Sequence, residues 1–125
     1  MAELKIYNSI SDAEPSKVYT CYRTTMAINN QLEELTEEVN EITAEISGLA
    51  ATVTDETPAD EAKKVRAKIK ELEARASVLT LESIRLFFPD FTDEEFMKLD
   101  PYDYQTFVFE IGELRSKIYG RAVKN

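Results

Sequence analysis

The stretch INNQLEELTEEVNEITAEISGLAATV, Ile28 to Val53, decides the fold. Its apolar residues are Ile28, Leu32, Leu35, Val39, Ile42, Ile46, Leu49 and Val53, in steps that alternate four and three. That spacing returns every one of them to a single stripe of an α-helix and gives a coiled-coil-like seam. A second series runs Ala62, Val65, Ile69, Leu72, Ala76, Leu79, Ser83 and Leu86, again in threes and fours. At 1.5 Å per residue each series covers roughly 37 Å.

Between the two lies T-D-E-T-P-A-D-E, Thr54 to Glu61. Thr57 followed by Pro58 predicts an N-cap and a proline at the first helical position, with Asp60 and Glu61 in the first turn. So short a turn makes the two helices antiparallel neighbours. Folding about it sets Val53 level with Ala62, Ile46 with Ile69, Ile42 with Leu72, Leu35 with Leu79 and Ile28 with Leu86. The charges match as well. Residues 24–57 carry eight acids and no base, while residues 58–88 carry seven bases and five acids. Glu38 and Glu45 flank one seam, and Lys68 and Arg75 the other. Such exposed pairs are worth only about 0–1 kcal/mol each, so their expected role is to set orientation. Gly48 costs roughly 1 kcal/mol against alanine inside a helix and marks a bend or a close contact.

Beyond the hairpin, Pro89 ends the second helix by Phe88. Thr92 to Glu95 reads as a capping box for a short helix, about Asp93 to Leu99. Asp100-Pro101 repeats the cap-plus-proline start for a last helix reaching about Arg121. Its seam is Tyr104, Phe107, Ile111, Leu114 and Ile118. Its basic residues Arg115, Lys117, Arg121 and Lys124 gather at the end that the helix dipole favours. Upstream, Leu4 to Tyr7 and Lys17 to Tyr22 have strand composition, separated by a polar loop. An isolated strand pair is marginal in water, so these strands need the bundle or another copy as a partner.

The expected fold is therefore mainly α: a long antiparallel helical hairpin with a shorter C-terminal helix packed on it, a three-to-four-helix bundle, and a small N-terminal β hairpin or arm. The expected division is residues 1–23 for the strand pair or arm and 24–125 for the helical domain. Within the latter, 24–88 form the hairpin and 92–122 the aromatic C-terminal helices.

Composition narrows the function. The 125-residue chain has net charge −9, no histidine and one cysteine, Cys21. Imidazole chemistry, intramolecular disulfides and Cys₄ zinc sites are thereby excluded. No apolar run approaches the roughly 20 residues that span a bilayer. Glu3, Asp12 and Glu14 interrupt any signal-peptide core, so a cytosolic location is expected. With three glycines and no phosphate-loop motif, a nucleotide cradle is not expected. Cys21 reads as a buried thiol with no base to activate it. The acidic group Asp90, Asp93, Glu94, Glu95, Asp100 and Asp103 reads as two helix starts in place of a metal site, since it lacks EF-hand spacing. The basic stripe Lys63 to Lys70 is neutralised by its acidic neighbour helix, so no nucleic acid is expected as a partner. No cofactor, metal or catalytic residue is assigned.

All six phenylalanines lie between Phe87 and Phe109. The last helix's seam uses Tyr104 and Phe107 but leaves Tyr102 and Phe109, seven residues apart, on another face. That second stripe is either a wider core or a partner surface.

Two segments carry a resemblance. K-V-Y-T-C-Y-R-T-T, Lys17 to Thr25, leads into the acidic helix. F-F-P-D-F-T-D-E-E-F, Phe87 to Phe96, continues through L-D-P-Y-D-Y-Q-T-F to F-E-I-G at Gly112. Together they resemble the tail assembly chaperones of siphophages and prophages of Gram-positive bacteria. The resemblance implies a small helical protein that is not an enzyme, made in the cytoplasm of the bacterial host and absent from the mature virion. It implies binding to the tape-measure protein, which is kept soluble while the tail tube assembles. A longer frameshifted form of such proteins often recruits the major tail protein. The candidate partner-binding residues are Phe91, Phe96, Tyr102 and Phe109, with Tyr102 and Phe109 outermost against an amphipathic client helix. Copies joined through edge strands would make a homo-oligomer. Two alternatives from other classes are an acidic DNA mimic, motivated by Glu33, Glu34, Glu37, Glu38, Glu41 and Glu45, and a coiled-coil adaptor.

Overall fold

The computed structural model describes residues 1–124, with side chains described through Lys117. Element order is β1 (Ala2–Ile6), β2 (Lys17–Cys21), α1 (Met26–Ala51), α2 (Ala59–Phe87), α3 (Asp93–Met97) and α4 (Pro101–Lys124). The expected class holds: two long packed helices, a C-terminal helix and a two-stranded antiparallel hairpin. The chain divides into two compact units, residues 32–83 and residues 1–31 with 84–125. The unit boundaries fall inside α1 and α2, and not after residue 23. The strand pair does not stand apart as an arm, because its apolar face is buried within the same unit as α3 and α4.

The unit of residues 32–83 is a helical hairpin. Ile42, Leu72 and Leu79 are buried together, with Leu35, Val39, Ile46, Leu49 and Ala76 packed against them. Every one is a seam position of the three-four pattern. The charged flanks do less than expected: Lys68 pairs with Glu71 of its own helix at 3.7 Å. Among the described residues neither Lys68 nor Arg75 forms an ion pair with Glu38 or Glu45.

Threonines build the turn. The Thr52 hydroxyl donates to the Leu49 carbonyl at 2.6 Å, and the Thr57 hydroxyl to the Thr52 carbonyl at 3.3 Å. These satisfy carbonyls that a helix end leaves without partners. Thr57 Oγ1 also accepts the Thr54 N–H at 2.8 Å. Its hydroxyl thus faces back into the turn, and it does not cap α2 as expected. The Pro58 carbonyl accepts the first helical bond, from the Ala62 N–H at 3.0 Å. Gly48 makes no close contact either, since a Cβ there would meet nothing within 4 Å. Gly48→Ala is therefore expected to stabilise the chain by up to about 1 kcal/mol, seen as a rise in Tm by circular dichroism.

The other unit is built around β1. In the antiparallel register Ala2 faces Cys21, Leu4 faces Tyr19 and Ile6 faces Lys17. Directly opposed residues share a face, so Ala2, Leu4, Ile6, Tyr19 and Cys21 form one apolar side. Ala2, Leu4 and Ile6 are buried, and β1 packs on α4. The seam of α4 supplies Phe107, Ile111 and Leu114 to this core, with Ile84, Phe88 and Phe91. The expected seam residue Ile118 and the charges of Arg121 and Lys124 lie outside the described side chains.

Local chemistry sets where α1 begins. The Thr25 hydroxyl accepts the Ile28 N–H at 3.2 Å, an N-cap that the seam pattern did not reveal. Just beneath it, Thr24 and Asn29 are buried, and the Thr24 hydroxyl donates to Asn29 Oδ1 at 3.1 Å. The amide nitrogen of Asn29 has no hydrogen-bond partner among the described residues. Cys21 is buried as expected. Burial pushes its thiol pKa up, and the thiol donates to the Arg23 carbonyl at 3.0 Å.

Candidate partner-binding surface

The segment Phe87 to Phe109 is placed by two caps. At α3, Thr92 Oγ1 accepts the Glu95 N–H at 3.1 Å while Glu95 Oε1 accepts the Thr92 N–H at 3.1 Å. This is the expected capping box. At α4, Asp100 Oδ1 accepts the Tyr102 N–H at 2.7 Å and the Asp103 N–H at 3.3 Å. The Asp100 carbonyl accepts from Tyr104 at 3.0 Å, which puts Pro101 at the first helical position as read from the sequence.

Glu95 also ties α3 to the strand pair. The Tyr19 hydroxyl donates to Glu95 Oε1 at 2.6 Å, and Lys17 Nζ lies 3.5 Å from Oε2. Lys17 also sits 4.4 Å from the centre of the Tyr19 ring. Burial alone would push the Glu95 carboxyl up. The bonds from Tyr19 and Thr92, with the Lys17 charge, outweigh that and hold it below its ordinary value. The same burial and the same carboxylate push the Tyr19 hydroxyl up. A carboxylate whose pKa is lower in the folded state adds stability above its unfolded value of about 4.3. That stability is lost as pH falls through the folded value. Glu95→Gln is therefore expected to lower stability at pH 7, with the gap to the parent chain closing toward pH 3. Urea titrations at several pH values read this out.

Around that tie the aromatics sort into two sets. Phe91 is 1% exposed and meets Tyr19 edge-on with ring centres 5.4 Å apart. Arg85 Nε donates to its carbonyl at 2.7 Å. Phe88 lies 5.1 Å from Tyr19 and 5.5 Å from Phe107. Phe91 is therefore a core residue, and its expected place on a partner surface is corrected. The Phe88 carbonyl accepts the Phe91 N–H at 3.0 Å, and this tight turn brings the ring back inward. Phe96 is half-buried. Tyr102 and Phe109 stand 76% and 69% exposed, with Val108 also exposed between them. The seven-residue spacing does place both on a face of α4 away from its buried seam.

Four acidic residues of this segment, Asp93, Glu94, Glu95 and Asp100, have structural partners. Asp93 accepts from Arg85 at 2.8 Å, and Glu94 lies 3.8 Å from Lys98. Glu95 and Asp100 are the caps already described. Sequence reasoning missed two exposed apolar residues beside Tyr102: Ile10 of the β1–β2 loop and Met97 at the end of α3. The available signal was an isoleucine inside the polar run N-S-I-S-D. Comparison with protein-family models, curated proteins and solved structures returned no match. Among the described residues, no helix is long and apolar enough to cross a membrane.

Proposed function

We propose that this chain is a non-enzymatic helical chaperone of phage tail assembly that binds the tape-measure protein and keeps it soluble in the host cytoplasm. The observation that carries the reading is the exposed aromatic face of α4, Tyr102 and Phe109, set within the segment that resembles the chaperone family. Large aromatics left in water on a face opposite a filled seam suit the apolar stripe of a partner helix. The net charge of −9 keeps such a surface soluble. The test is co-expression with the longest predicted helical reading frame of the same locus, followed by pull-down. The client is expected in the soluble fraction only when this chain is present. Tyr102→Ser with Phe109→Ser is expected to abolish that effect while leaving helicity unchanged. A client that stays insoluble beside the parent chain would end the reading.

A second reading has its own observation. Glu34, Glu37, Glu38, Glu41 and Glu45 are all exposed on α1, as an acidic DNA mimic requires. Salt-sensitive competition with DNA for a host nuclease would favour it over the chaperone.

A further inference from the structure

The β1–β2 loop and the α3–α4 junction form the walls of an open groove of about 660 Å³. Its apolar surface comes from Tyr7, Ile10, Met97, Leu99, Pro101 and Tyr102. Ile10 is fully exposed and Met97 is 83% exposed. The loop holds Ile10 outward by its own bonds. The Ser9 N–H donates to Asp12 Oδ2 at 3.1 Å, and the Asp12 N–H to the Ser9 carbonyl at 3.1 Å. On the opposite wall, the Asp100 cap fixes the position from which Tyr102 projects.

The charges of the groove select among occupants. Asp12, Asp100 and Asp103 line it. Among the described residues its one lining ammonium, Lys98, is paired with Glu94 at 3.8 Å. The groove thus combines exposed apolar side chains with acidic ones. A small-molecule site buries most of its ligand between walls. Here the largest apolar groups stand on the rim, which suits a side-chain stripe presented by another chain. The geometry points to an amphipathic helix with lysine or arginine flanking its apolar stripe as the occupant of this groove. Anchors at i, i+3, i+4 and i+7 would lie along Ile10, Met97 and Tyr102, with the cations facing the aspartates. The inference rests on the client-binding reading above and adds the chemistry of the client segment and a second wall for its site.

The probes are three fluorescein-labelled peptides of roughly 18 residues. One has leucines in the anchor positions and lysines elsewhere; the second has glutamates for the lysines; the third scrambles the first. Anisotropy with the full chain is expected to show the lysine peptide binding at least about tenfold tighter than either other peptide, an advantage that shrinks with added salt. Ile10→Ser with Met97→Ser is expected to weaken binding at least about tenfold, and Asp103→Asn about threefold. Val78→Ser, an exposed apolar change in the unit of residues 32–83, is expected to leave it unchanged. Because Ile10 and Met97 are exposed, the double variant keeps the parent melting curve. Equal binding of the lysine and glutamate peptides, or of the scrambled one, overturns the inference. So does parent affinity in the double variant. A dimer of this chain that the double variant dissolves also overturns it, because the groove is then covered by a second copy. If the double variant still solubilises the co-expressed client, the groove fails while the chaperone reading stands. If the parent chain does not solubilise it, the chaperone reading fails first.

Discussion

Replacing Phe91 by alanine is expected to lower the unfolding free energy by about 3–5 kcal/mol, a large share of the roughly 5–15 kcal/mol that holds a domain folded. The ring is 1% exposed and touches Tyr19 edge-on. Its loss removes apolar burial and leaves a cavity beside Tyr19, whose hydroxyl is held by the cap of α3. The damage therefore spreads to the tie between β2 and α3. Phe109→Ala is the matched control. That side chain is exposed, so its change in stability should stay within about 0.5 kcal/mol. The two substitutions also divide function from folding. Phe109→Ala should weaken client solubilisation with an unchanged melt, and Phe91→Ala should do so only through unfolding. Urea unfolding monitored by near-ultraviolet circular dichroism, beside the co-expression assay, reads both. A Phe91→Ala chain as stable as the parent would remove Phe91 from the core.

The contrast between these two phenylalanines shows what kind of information a sequence carries. Local, periodic features were legible. The seams of α1 and α2, the Thr92–Glu95 box and the Asp100-Pro101 start depend on neighbours three or four residues apart, and the structure repeats them. Features set by contacts across the chain were not. Phe91 sits in an irregular connector between two helices, where no period tells inside from outside. Its burial depends on Tyr19, about seventy residues upstream. Glu95 looked like a cap and nothing more, because its bonds to Tyr19 and Lys17 need the strand pair to lie against α3. The same reason groups the strand pair in one unit with α3 and α4. Residues Ala2 to Ile6 alternate apolar and charged, which marks Ala2, Leu4 and Ile6 as one face, but that this face is buried where β1 meets α4 is set by the fold. Glu110 even reaches the Glu3 N–H at 3.2 Å. In the candidate site, the spacing of Tyr102 and Phe109 was readable, while Ile10 and Met97 come together only through the fold.

Asn29→Asp should produce the other large effect, with a pH dependence of opposite sign to that of Glu95. The two side chains are nearly the same size, so the Thr24 hydroxyl can still donate to the new carboxylate and packing is retained. What changes is charge at a fully buried position. The site of the orphan amide nitrogen would hold a carboxylate oxygen with no donor. Taking a carboxylate out of water costs several kcal/mol even after relaxation. The first turn of α1 returns part of this, since the N-terminal end of a helix favours negative charge by about 0.3–1 kcal/mol and up to about 2 when partly buried. Desolvation outweighs the helix end, so the introduced group's folded pKa is raised above its unfolded value of about 3.9. Stability is then retained below that unfolded value and lost as pH rises through the folded one, at about 1.4 kcal/mol per pH unit between the two. The variant should approach the parent near pH 4 and fall several kcal/mol below it at pH 7. Urea midpoints measured across that range decide the matter. A constant offset between the two chains would mean that water or a cation reaches Asn29. A variant more stable at pH 7 than at pH 4 would mean that the helix end outweighs burial.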